Sequence, residues 1–80
     1  MRKLVMSGAF ATVLKKHRVT KGFSQELLAE KADIHPTHVG LIERSLRNPS
    51  LNVAQAIATA LNLSLTQMVA EAEQLQKKRS

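Results

Sequence analysis

No cysteine occurs among the 80 residues. That removes both a disulfide framework and a thiolate metal site as staples for a chain near the low end of what buries a core unaided. Small unstapled chains often gain stability from a partner subunit. No stretch approaches the roughly 20 apolar residues of a membrane span. The apolar run in Met1-Arg2-Lys3-Leu4-Val5-Met6-Ser7-Gly8 is too brief for a signal peptide, so a reducing cytoplasm is the expected compartment and no membrane partner is expected. Aromatics are nearly missing, with Phe10 and Phe23 only. Binders of RNA and single strands usually stack bases on aromatic side chains, and this chain has no such platform. Period-two alternation of β-branched residues is absent too, as are repeats, low-complexity tracts and linkers.

Acidic residues are also scarce. Six Asp and Glu stand against twelve Lys and Arg, a formal net charge of +6, and nine of the twelve basic residues fall within 1–50. A basic front half suits a polyanion, and without aromatic platforms duplex DNA is the favoured one. Catalysis would require a nucleophile with its base, paired carboxylates or a metal, gathered in a concavity. Six acidic groups scattered over helix faces supply none of these, so an enzyme is not expected. His35 and His38 are three apart and His17 is the third histidine, yet with no Cys and few carboxylates nearby no metal site is expected. Nothing points to a cofactor or a small-molecule ligand.

Five helices account for the chain, and an all-α, compact five-helix bundle in a single domain spanning 1–80 is expected. The first covers about residues 9–20, with Phe10, Val13 and Leu14 at helical spacing and Lys21-Gly22 as its stop. Ser24 caps the second, which runs to Ala32. Asp33-Ile34-His35 is a tight turn, and Pro36 opens the third helix at the position where a missing N–H costs nothing; that helix reaches about residue 44. Asn48-Pro49 punctuates the longest break. The fourth helix covers about 51–61, with Leu51, Ala54, Ile57, Ala58 and Leu61 on one stripe, and Asn62 is a left-handed terminator. Ser64, with Gln67 three residues on, caps the fifth, which reaches about residue 76 before a basic 77–79 tail.

The second helix, the turn and the third helix form the distinctive unit. Val39 and Ile42 can face a core, while Thr37, Leu41 and Arg44 share another stripe with His38 beside it. Short hydrogen-bonding and methyl-bearing side chains at the start of a helix are what a major groove accepts.

Phe-Ser-Gln-Glu-Leu-Leu-Ala-Glu-Lys-Ala from Phe23, then Ile-Glu-Arg, Arg-Asn-Pro-Ser-Leu, Ile-Ala-x-Ala-Leu and Leu-Ser-Leu, resemble the Cro and phage-repressor helix-turn-helix, the XRE family. The match extends back through Arg18. It implies the lambda-repressor-like bundle and a sequence-specific duplex DNA-binding transcriptional regulator; the length is similar to stand-alone regulators, including restriction-modification controller proteins. By that resemblance Pro36, Thr37, His38 and Leu41 read bases. Thr37 offers a hydroxyl or a methyl, His38 a donor, and Leu41 an apolar surface for a thymine methyl. Gln25, Arg44, Arg47 and Asn48 fall where the family meets the DNA backbone, Gln25 also bracing the recognition helix. Arg18 and Glu43 match a pair tying helix one to helix three. The family usually has Gly where this chain has Asp33 and Ser45, and a polar base reader where it has Pro36. The same fold also serves as an antitoxin or adaptor whose main contact is another protein.

Leu65, Met68, Val69, Ala72 and Leu75 form a continuous apolar stripe on the fifth helix. Leu65 can fold back onto helix four. Ala72 and Leu75 are expected to lie beyond the core's reach, which makes Met68, Val69, Ala72 and Leu75 a homodimer interface. A two-fold partner would place two recognition helices about 34 Å apart on one DNA face and make the operator palindromic.

Overall fold

A computed structural model describes residues 5–79; the basic Met1–Leu4 start lies outside them. Five helices follow one another: α1 Met6–Thr20, α2 Gln25–Ala32, α3 Pro36–Glu43, α4 Leu51–Ala60 and α5 Leu65–Arg79. No strand occurs among the described residues, and no single helix there is long and apolar enough to cross a membrane.

Local chemistry sets most of the boundaries. Ser24 Oγ accepts from Leu27 N at 3.0 Å and Ser64 Oγ from Gln67 N at 3.0 Å, each satisfying an orphan amide of the first turn. Two further caps were not legible as such. Ser50 Oγ accepts from Val53 N at 3.1 Å, and His35 Nδ1 accepts from Thr37 N at 3.1 Å. The junctions close through left-handed residues: Gly22 at φ 73°, Asp33 at 57°, Ser45 at 59° and Asn62 at 61°. For Ser45 this conformation carries a cost of roughly 1–2 kcal/mol that glycine would not incur.

The core draws on every helix. Phe10, Val13 and Leu14 of α1 meet Leu28 and Ala29 of α2, Val39 and Ile42 of α3, Ile57 and Ala58 of α4, Leu61, and Met68 and Ala72 of α5. Both phenylalanines serve packing, Phe10 inside the core and Phe23 against it with Lys31 Nζ 5.3 Å from its ring centroid.

Several expectations are corrected. α1 begins a turn earlier than residue 9: Ser7 and Gly8, poor helix formers, lie inside a first turn held by Ala9 N–H to Val5 O at 3.0 Å. Helix α5 continues through the basic 77–79 segment. Leu51 is not part of the buried stripe of α4; at 80% exposure it stands on the surface, and the buried residues of α4 begin at Ala54, with Val53 packed against the core beside it. Most consequential, Met68 and Ala72 are fully buried within this chain and Leu75 packs against the same core, so Met68 and Ala72 are not free to meet a second subunit. The reason is the packing of two helices. α1 and α5 have 15 residues each and pack on one another, with Leu65 and Val69 near Met6 and Phe10, Glu71 beside Lys16 and His17, and Leu75 near Thr12 and Val13. That packing brings Met68, Ala72 and Leu75 of α5 onto one core with Phe10 and Val13 of α1. Polar side chains add to the seam: His17 Nε2 lies 3.0 Å from both Glu71 carboxylate oxygens, with Lys16 Nζ at 3.7 Å.

Candidate nucleic-acid interface

The α2–turn–α3 unit is closed by backbone bonds from Asp33 N to Glu30 O and from Ile34 N to Ala29 O, after which His35 and Pro36 start α3. Val39 and Ile42 turn into the core. Pro36, Thr37 and Arg44 remain exposed, while His38 and Leu41 are half-buried. The residues expected to read bases therefore share one end and flank of α3.

What holds α3 is a polar network reaching both other helices. Arg18 Nε donates to Glu43 Oε2 at 2.6 Å and Arg18 Nη2 to Glu43 Oε1 at 3.1 Å, a two-pronged pairing of fork to carboxylate. Arg18 Nη1 also donates to the Phe23 carbonyl at 2.7 Å. Gln25 Nε2 completes the shell, donating to Glu43 Oε1 at 3.0 Å. The side chains of Arg18 and Glu43 are 12% and 3% exposed. A charge pair so far from water is tolerable because its polar atoms are matched, and it joins α1, α2 and α3 in one frame.

Gly40 has a role that went unread in the sequence. A Cβ there would stand 3.3 Å from Gln25 Oε1 and 3.9 Å from Arg44 Nη2. The missing side chain lets Gln25 lie against α3, and the only sequence signal is a glycine inside a helical pattern. Arg44 folds back along α3, Nε donating to Gly40 O at 3.2 Å. Arg47 and Asn48, by contrast, are exposed in the loop beyond α3. The three histidines stand apart in role: His17 meets Glu71, His35 caps α3, and among the described residues no three His, Asp or Glu side chains are placed to hold a metal ion.

Charge is arranged as unevenly in space as along the chain. Between residues 34 and 70 the one carboxylate is Glu43, buried against Arg18. The exposed surface of α3 and its following loop thus carries Arg44 and Arg47 with no acidic side chain of its own. The other acids of the front half, Glu26, Glu30 and Asp33, are exposed on α2 and the turn. A polyanion at the exposed face of α3 and its loop meets two arginines and no exposed carboxylate of that segment. Arg47→Ala is expected to weaken binding to all duplexes about equally and to lower the salt slope by roughly one unit, read by titrating binding against salt concentration. An unchanged slope would take Arg47 off the DNA backbone.

Residues 14–68 match the helix-turn-helix family. Control protein C.SmaI of Serratia marcescens is 36% identical over 56 residues, covering 70% of this chain and 67% of that protein. YqaF of Bacillus subtilis (strain 168), an uncharacterised HTH-type transcriptional regulator, is 40% identical over 53 residues, 66% of this chain and 70% of its own. Among solved structures, the restriction-modification controller protein C.AhdI from Aeromonas hydrophila superposes with a TM-score of 0.74 at 35% identity, over 78% of this chain and 94% of that one. With its helix-turn-helix at α2 and α3, this chain belongs to the Cro and phage-repressor (XRE) type of helix-turn-helix family, whose members are DNA-binding transcriptional regulators and not enzymes.

Proposed function

We propose that the chain reads a palindromic or near-palindromic duplex operator through the major groove, as a homodimer, and works in the cytoplasm alongside that DNA. The observation that carries the DNA-facing assignment is the exposed start of α3, Pro36 and Thr37 with His38 and Leu41 beside them, on a helix whose only carboxylate is buried. Selection of bound duplexes from a random pool tests it: a recovered site with inverted half-sites about one helical turn apart supports the reading, and no enrichment of any duplex overturns it.

Support for the two-fold assembly comes from a different surface than α5 alone. Met6, Phe10, Pro49, Leu51, Leu65 and Val69 line an apolar cleft of about 290 Å³, completed by Ser7, Asn48, Ser50 and Ala54. None of these ten side chains is ionisable. On a chain of net charge +6, a face that meets its own copy must avoid stacking like charges, and this face does. Val69 stays in the interface set, and Leu51 takes the place of Met68 and Ala72.

The double substitution Thr37→Ala with His38→Ala is expected to reduce discrimination among operators more than affinity for random duplex. Each good base contact is worth about 1–3 kcal/mol. Competition between the selected site and random DNA reads the ratio directly; retention of the full preference would place the reading residues elsewhere.

A further inference from the structure

The direction of each polar group near α3 narrows what this reading surface can recognise. A major-groove reader ordinarily identifies purines with paired donors and acceptors from Arg, Lys, Asn or Gln. Here α3 itself contains no Arg, Lys, Asn or Gln, and the two such residues packed against it, Gln25 and Arg44, are partly engaged. Gln25 spends one amide N–H on Glu43 and turns its carbonyl oxygen toward Gly40. Arg44 is folded back on the Gly40 carbonyl, and Glu43 is buried beneath Arg18. Pro36 has no side-chain donor at all. What α3 exposes at its start and along its flank is the Pro36 ring, the Thr37 methyl with its hydroxyl, and part of the Leu41 isobutyl group, with the His38 imidazole beside them.

An apolar surface in the major groove has one complementary feature on a base pair, the C5-methyl of thymine. We infer that this regulator discriminates its operator chiefly by pyrimidine C5-methyl groups, packed against Pro36, Thr37 and Leu41, rather than by paired hydrogen bonds to purines. Thymine is the natural ligand; 5-methylcytosine carries the same methyl group in the same position. The inference rests on the DNA-reading role proposed for α3 and names the chemistry of that site.

Deoxyuridine in place of thymidine removes this methyl and leaves every Watson–Crick and groove hydrogen-bonding group in place. The selected operator, remade with uracil at one thymine at a time, should lose affinity by about fourfold for each packed methyl, the equivalent of 0.8 kcal/mol per buried carbon. Thr37→Ser deletes the protein's methyl and keeps its hydroxyl at an exposed position. In this variant the uracil effect should vanish at one base pair per half-site and persist at the others, a coupling that general loss of stability does not produce. Replacing the matching thymine by 5-methylcytosine, paired with guanine, should bind more tightly than unmethylated cytosine at that position. If the parent protein prefers its selected site over random duplex yet binds the fully uracil-substituted site equally well, methyl reading is overturned while DNA reading stands. If it prefers no duplex, the underlying role of α3 is what fails. A uracil effect with no coupling to Thr37→Ser and none to Leu41→Ala overturns the assignment to these side chains.

Discussion

Glu43→Ala is expected to destabilise the chain by about 3–5 kcal/mol, because it leaves the Arg18 guanidinium buried with one partner, the Phe23 carbonyl. Small domains have only about 5–15 kcal/mol in total, and a domain of this size shifts its Tm by roughly 4–8 °C per kcal/mol. The expected fall is therefore more than about 12 °C, measured by thermal or urea unfolding. Gln25 loses its acceptor in the same step, so the loss combines two unmatched groups. The companion variant Arg18→Met with Glu43→Leu removes both charges and should recover most of the stability, since buried ion pairs are often replaceable by apolar residues of similar size. It should not recover operator discrimination, because the brace on α3 is gone. A Glu43→Ala protein melting within a degree or two of the parent would show the pair to be energetically idle.

Leu51→Glu is expected to separate the proposed dimer. Burying a leucine contributes about 1.5–3 kcal/mol, and a two-fold interface contains it twice. Losing both copies raises the dimer dissociation constant by roughly 10²- to 10⁴-fold, before any cost of bringing two carboxylates together. Sedimentation at micromolar concentration should show the parent above, and the variant at, the 8.8 kDa of one chain. Because Leu51 stands on the surface, the variant should melt near the parent at high dilution. Leu75→Glu is the contrasting case: Leu75 packs against the core of its own chain, so its replacement should lower the melting temperature first. A parent already sedimenting as one chain defeats the dimer, and dissociation by Leu75→Glu alone would return the interface to the far end of α5.

The contrast between Leu51 and Ala72 shows where reading a one-dimensional pattern stops. Both are apolar and both fall on a helical stripe, yet Leu51 is exposed and Ala72 is buried. Periodicity gives the face of a helix but not how far along that face the neighbouring helix extends. The same holds for Gly40 and His35. A glycine in a helix and a histidine before a proline have ordinary local explanations, and their functions appear only when Gln25 lies against one and the Thr37 amide points at the other.

Local chemistry by itself determined a great deal. The serine caps at Ser24 and Ser64, the left-handed junction at Asn62, Pro36 at the start of α3 and the inward phase of Val39 and Ile42 are decided by the residue and its neighbours within a turn or two. The scarcity of acids between Asp33 and Glu71 is likewise written in the chain. Tertiary structure decided the rest: that α5 lies along α1, that Met68 and Ala72 belong to the core while Leu51 does not, and that Gln25 and Arg44 point back at the protein. Those outcomes depend on the lengths and directions of helices distant in sequence, and on which hydrogen-bonding groups meet once the helices have packed.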